Sequence, residues 1–171
     1  MKVNRLGLNP HINHEWVALA GFKIFLRNLP KAVGSVDPRV YFRDKKVLDV
    51  GCGTGTDMTR FQRLGAKVQG LDIHPTRPDI IFGRASSLPF PDASFDIVFS
   101  KFLMDLLPLV EIKAYAREAF RALVPGGKFI YFGLMVEEDA NFLLTTARQA
   151  GFDRTYADEI LTTFVMNKPK N

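Results

Sequence analysis

Four residues with the character of a buried strand, Val47 to Val50, run without a break into Gly51-Cys52-Gly53-Thr54-Gly55, and a helical pattern follows at once. No other stretch restricts the fold as much. Glycine gives up more backbone entropy on folding than any other residue. Three of them at alternate positions between a strand and a helix point to a parallel sheet whose turn lets backbone approach a ligand. The alternation continues downstream. "GAKVQGLDI" predicts a second strand ending near Asp72, "DIIFG" a short third, "FDIVFS" a fourth and "PGGKFIYFGL" a Pro-Gly turn feeding a fifth. Helices are expected from about Gly55 to Leu64, from Phe102 to Leu123 with an interruption or restart at Pro108, and from Asp139 to Ala150, where Gly151 ends the last. The tail "FDRTYADEILTTFVMNK" reads as two strands joined by a tight polar turn. The predicted class is α/β: a doubly wound, mostly parallel sheet with helices on both faces and a C-terminal antiparallel hairpin.

A chain of 171 residues suits one domain with a sizeable core. Residues 47–171 are read as that domain and 1–46 as a helical, basic extension, in which Asn13 caps a helix from about His14 to Leu29 closed by Pro30. Its apolar residues fall on most sides of the helical wheel, so it needs cover on more than one face. The run "WVALAGFKIFL" is broken by Lys23 and is too short for the roughly 20 residues of a membrane span. It also lacks the small-residue cleavage site of a signal peptide. The single cysteine, Cys52, excludes an internal disulfide and a cysteine-rich zinc site, and it fits a cytoplasmic protein. Net charge is +5, and residues 1–46 carry nine basic against three acidic side chains. Such an arm suits RNA, phosphate or a membrane surface, or is simply a solvated extension.

The glycine turn does not fit a dinucleotide, because Thr56 stands where the sixth position of G-x-G-x-x-G needs a small residue. Nor does it end in the Gly-Lys-Ser/Thr of a phosphate loop. Asp57, just inside the helix, is expected to repel a pyrophosphate. About twenty residues on, Asp72 closes the second strand, where a carboxylate can accept both hydroxyls of a ribose. Capping of the turn into "HPTRP" is the plainer role for Asp72.

With "VLDVGCGTG", "GLDIHP", "SSLPFPDASFDIVFS" and "REAFRALVPGGKFIYFGL" in that order, the chain resembles the Rossmann-like S-adenosylmethionine-dependent methyltransferases, in particular the methyltransferase type 11 group, over about Val47 to Lys170. The resemblance implies S-adenosylmethionine as cofactor. It places Asp49 and the backbone of Gly51, Cys52 and Gly53 at the methionine part, Asp72 at the ribose and Ile73 against the adenine. Ala85 contributes backbone near the adenine, and Gly55 and Ser100 complete the expected cofactor-binding set. Two departures stand out. Arg84 occupies the position where the family commonly has an aspartate for the adenine amino group, and guanidinium offers no acceptor. The crossover after the second strand has shrunk to "HPTRP", so the third strand is expected to be a short or irregular edge.

Methyl transfer by direct displacement needs alignment and exclusion of water more than a fixed catalytic signature. Asp105 is the candidate catalytic residue, able to orient or deprotonate a hydroxyl or amine. Its plainer reading is a solvated helix residue, as Lys101 is a surface charge, His14 a helix-start residue and His74 a turn residue near the ribose. "SKFLMD" after the fourth strand lacks the Asp/Asn-Pro-Pro-aromatic element, which disfavours amino-group methylation of adenine or glutamine of that type. "MVEEDANF" is too short for an acceptor-binding cap. The acceptor wall then falls to the leading helix with Trp16, Phe22 and Phe25, to the region from Lys101 to Pro108, and to a second subunit if the chain is a homodimer. A small, partly hydrophobic acceptor is expected. RNA reached through the basic arm and a non-catalytic cofactor-binding module are the alternatives.

Overall fold

The structure, a computed structural model, describes residues 22–23, 25–30, 33–133, 137–157 and 163–170. Among the described residues, seven strands form one sheet: β1 (Lys46–Val50), β2 (Lys67–Asp72), β3 (Ile80–Phe82), β4 (Phe95–Lys101), β5 (Leu123–Phe132), β6 (Arg154–Ala157) and β7 (Thr163–Asn167). Their order is β3-β2-β1-β4-β5-β7-β6. Every pairing from β3 to β5 is parallel, and β7 runs antiparallel to both of its neighbours. The winding reverses between β1 and β4, which puts the carboxyl ends of those two strands at the natural ligand crevice. Among the described residues, a leading helical segment (22–23, 25–30 and 33) precedes α1 (Pro38–Phe42), α2 (Thr56–Arg63), α3 (Leu109–Ala122) and α4 (Glu137–Ala150). Among the described residues, no helix is long and apolar enough to cross a membrane.

Strand alternation sorts the core into two layers. Leu48, Val50, Leu71, Val98, Phe129 and Tyr131 pack on one face with Ile112, Tyr115 and Ala119 of α3. Val47, Ile97, Phe99, Ile130 and Val165 pack on the other with Phe61 of α2, Phe42 of α1 and Phe22, Phe25 and Leu29 of the leading helical segment. Edge contacts between rings hold this second layer: Phe22 to Phe61 at 5.1 Å and Phe61 to Phe99 at 4.9 Å, each near perpendicular.

Four local expectations are corrected. The leading segment does not stop at Leu29, since residues 30 and 33 are helical. Proline removes only its own N–H, and the Pro30 carbonyl still accepts from Gly34 N–H at 3.0 Å. Residues 102–107 are turns, with Leu106 and Leu107 N–H bonded to Leu103 and Met104 carbonyls, and the helix starts only after Pro108, in an extended conformation. Proline disfavours helical backbone at the residue before it, so the turns cannot merge into the helix. β5 begins ahead of its Pro-Gly turn, because Leu123 pairs with Phe95 before residues 124–127 bulge out and Lys128 resumes opposite Ile97. Phe22 and Phe25 are core residues and do not line an open wall. Asn13, His14 and Trp16 lie outside the described residues. β3 is a three-residue edge strand, as the short crossover requires.

Candidate functional site

β1 delivers Asp49 and then the glycine turn to the crevice. Gly51 adopts φ +71°, and a Cβ there would lie 2.9 Å from Leu103 Cδ1, so the turn passes directly beneath the segment leaving β4. Gly53 is also left-handed, at φ +56°, but with open space around it. The N–H groups of Gly51 and Cys52 donate to the Leu71 carbonyl at 2.8 and 3.3 Å, and Gly53 N–H donates to Asp72 Oδ2 at 2.8 Å. At these three positions the N–H groups are engaged within the fold, so the turn does not offer a ligand the row of N–H donors of a phosphate loop. Gly55, at the start of α2, lies beneath Arg77, whose Nη1 donates to its carbonyl at 3.3 Å.

Asp72 ends β2 with both carboxylate oxygens engaged, Oδ2 by Gly53 and Oδ1 by His74 N–H at 2.8 Å. Each oxygen keeps a second lone pair for a ligand hydroxyl. The capping role and the ligand role thus coexist in one side chain. Ile73 beside it is 47% exposed, Ala85 is buried below, and Arg84 is exposed. That leaves an apolar surface, without a carboxylate at position 84, next to Asp72.

Asp49 is buried, and its Oδ2 has no hydrogen-bond partner. Burial first, then Asp57, lifts its carboxyl well above the ordinary carboxylate range; Lys101 opposes that shift and Asp72 adds to it. Asp57, expected from the sequence to repel a pyrophosphate at the helix start, is ion-paired within the fold. It turns inward between Arg60, at 2.7 Å, and Lys101, with side chains 8% and 11% exposed for Asp57 and Lys101. Lys101 is accordingly a buried ion-pair partner and no surface charge. Its partner sits 44 positions away in sequence, so residue type at a strand end held no sign of it. Arg60 also stacks over Phe22, 5.3 Å from the ring centroid. Burial, with Asp49 and Asp72 adding to it, pushes the Cys52 thiol up to about 12, which disfavours the thiolate.

Ser100, near the carboxyl end of β4, is fully buried. Phe102, at φ +57°, takes a backbone conformation uncommon for a bulky residue. That turn brings Leu103 over Gly51 and Asp105 to Tyr131, whose hydroxyl donates to Asp105 Oδ1 at 2.9 Å. Asp105 is half-buried in a turn, not solvated on a helix. The structure brings Asp49, Gly51, Cys52, Gly53, Asp72 and Ile73 to one rim, with Leu103 joining Asp105's turn to it.

The orphaned Asp49 oxygen fits the ammonium of S-adenosylmethionine's amino acid part, and Asp72 fits its ribose. An ammonium beside Asp49 favours the ionised carboxylate. The raised folded-state value means that the ligand-free fold retains a proton the unfolded chain releases at the ordinary carboxylate value. The Asp49 contribution to ligand-free stability, read as the difference from Asp49→Asn, is therefore expected to fall as pH rises from that ordinary value through the folded one. Cofactor affinity is expected to rise over the same window. Melting curves and calorimetric titrations across pH check both, and Asp49→Asn should flatten both slopes; equal slopes in wild type and variant would remove Asp49 from the account.

Residues 48–131 match the family described as a methyltransferase domain. A demethylmenaquinone methyltransferase of Tropheryma whipplei is 36% identical over 98 residues, covering 50% of this chain and 40% of its own length. That of Renibacterium salmoninarum is 33% identical over 129 residues, covering 70% and 51%. The chain thus spans about half the length of the curated relatives it matches or less. Among solved structures, a TehB-like S-adenosylmethionine-dependent methyltransferase from Corynebacterium glutamicum superimposes with a TM-score of 0.61 at 20% identity, covering 95% of this chain and 100% of its own.

Proposed function

Because the chain belongs, through residues 48–131, to the Rossmann-like S-adenosylmethionine-dependent methyltransferases, we propose that it transfers a methyl group to a small, partly hydrophobic acceptor. The observation that carries the cofactor half is the Asp72 carboxylate, pinned by Gly53 and His74 N–H groups at the same rim as the orphaned Asp49 oxygen. S-adenosylmethionine supplies an activated methyl carbon on a sulfonium, so the protein needs to align and desolvate the acceptor.

In this reading Asp49 and the Gly51–Gly53 turn hold the amino acid part, Asp72 the ribose, and Ile73 with the Ala85 backbone the adenine. Gly55 starts the supporting helix and Ser100 supports the rim from within. Asp105, oriented by Tyr131, receives the proton that a hydroxyl or amine acceptor gives up. Leu103 and Leu107, partly buried beside it, supply the apolar character of the acceptor side. The two relatives named above act on demethylmenaquinone, which agrees with an apolar acceptor. The reading places the protein in the cytoplasm, on the strength of its lone cysteine.

Incubation with methyl-labelled S-adenosylmethionine and fractionated host extract tests it. Label is expected in the organic-soluble small-molecule fraction, abolished by Asp72→Ala and reduced about a hundredfold or more by Asp105→Ala. Label confined to RNA would replace this reading with one using the basic arm. Cofactor binding without transfer to any fraction would leave a binding module.

A further inference from the structure

Apolar side chains are left exposed just beyond the carboxyl end of β4. Leu106, in the turn directly after Asp105, is 77% exposed, and Val110, in the first turn of α3, is 75% exposed. Leu109 between them is 36% exposed. Pro108 holds the backbone extended between turn and helix. Leu106 therefore projects from a stiff knuckle ahead of the helix. Isolated exposed leucines need no explanation, but three within five residues on one protrusion do.

The charge that follows is of one sign. Ile112, Tyr115, Ala116 and Ala119 face the core. The outward row from Val110 continues at helical spacing through Lys113 and Arg117, both exposed. The acidic residues of this helix are placed differently. Glu111 is half-buried, and Glu118 is bound to Arg121 and to Leu88 N–H. The protrusion thus presents an apolar tip with a cationic flank, the pattern of an element that inserts at the boundary between headgroups and acyl chains. The chain's net charge of +5 acts in the same sense.

We propose that residues 106–117 dock the protein on an anionic lipid surface, with Leu106, Leu109 and Val110 inserted and Lys113 and Arg117 on the headgroups. The commitment to lipid rests on that charge pairing and on placement. Leu103, three residues before the tip, covers Gly51, so the docked face is the rim on which Asp105 and the glycine turn open. An apolar acceptor could then enter from the bilayer without crossing water. Docking itself requires neither cofactor nor acceptor, so it stands or falls separately from the methyl-transfer reading.

The test is co-sedimentation of the full chain with phosphatidylcholine vesicles, with and without phosphatidylglycerol, at low and physiological salt. Binding is expected only with the anionic lipid, and several-fold weaker at the higher salt. Leu106→Ser with Val110→Ser, and separately Lys113→Glu with Arg117→Glu, should each lower partitioning at least tenfold. The melting midpoint and the affinity for S-adenosylmethionine should not move. No binding to either vesicle, equal binding to both, or undiminished binding by the two variants overturns the proposal. Loss of sedimentation with a shifted melting midpoint in both variants counts against it as well, since the effect would then follow unfolding.

Discussion

Asp72→Ala is expected to weaken S-adenosylmethionine binding by about 2 to 4 kcal/mol, roughly thirty- to several-hundred-fold. The loss has two parts. The ribose hydroxyls lose a charged acceptor, and the N–H groups of Gly53 and His74 lose theirs, which releases the glycine turn from the end of β2. A sharper expectation concerns Asp72→Asn. Since each carboxylate oxygen already accepts a backbone N–H, an amide must turn its NH2 toward one of those donors in either orientation. Asparagine should therefore recover little of the alanine loss. Calorimetric titration of both variants measures this; near wild-type affinity in Asp72→Asn would show that the two backbone contacts do not shape the site.

The second large effect is on stability. Lys101→Met leaves Asp57 with Arg60 alone in a buried setting, and removal of one partner from a buried pair costs about 3 kcal/mol or more. For a domain of this size that lowers the melting midpoint by about 6 to 12 °C. Replacing both charges, Asp57→Leu with Lys101→Met, should restore much of the loss, because no stranded carboxylate remains and Arg60 keeps its stacking on Phe22. Thermal melts of the two single variants and the double variant close the cycle. Additive losses in the double variant would mean that the pair is not coupled.

These two cases differ in what the sequence disclosed. The left-handed turn at Gly51 and Gly53 and the place of Asp72 at the end of β2 were legible because both are local to strand ends, where left-handed backbone needs glycine. The parallel order from β3 to β5 follows from continuous apolar strands in the same way. Lys101 was not legible, since pairing with Asp57 depends on how β4 and α2 are superposed. Phe22 and Phe25 read as wall material because their helix is apolar on most sides. The fold instead spends them against Phe61 and Phe99. Asp105 fell on a helical pattern that Pro108 and the left-handed Phe102 interrupt. Only the proline was visible beforehand.

The order of the last two strands has a temporal side. β6 leaves the ribosome before β7, yet it hydrogen-bonds to the sheet only through β7, which itself pairs with β5. Arg154–Ala157 therefore lacks its native partner until Thr163–Asn167 is made, so the sheet closes out of chain order. During that interval β5 carries a bare edge with the register for an antiparallel strand. A strand supplied by another copy could occupy it first, and prompt arrival of residues 163–167 is what keeps that place for the chain's own β7.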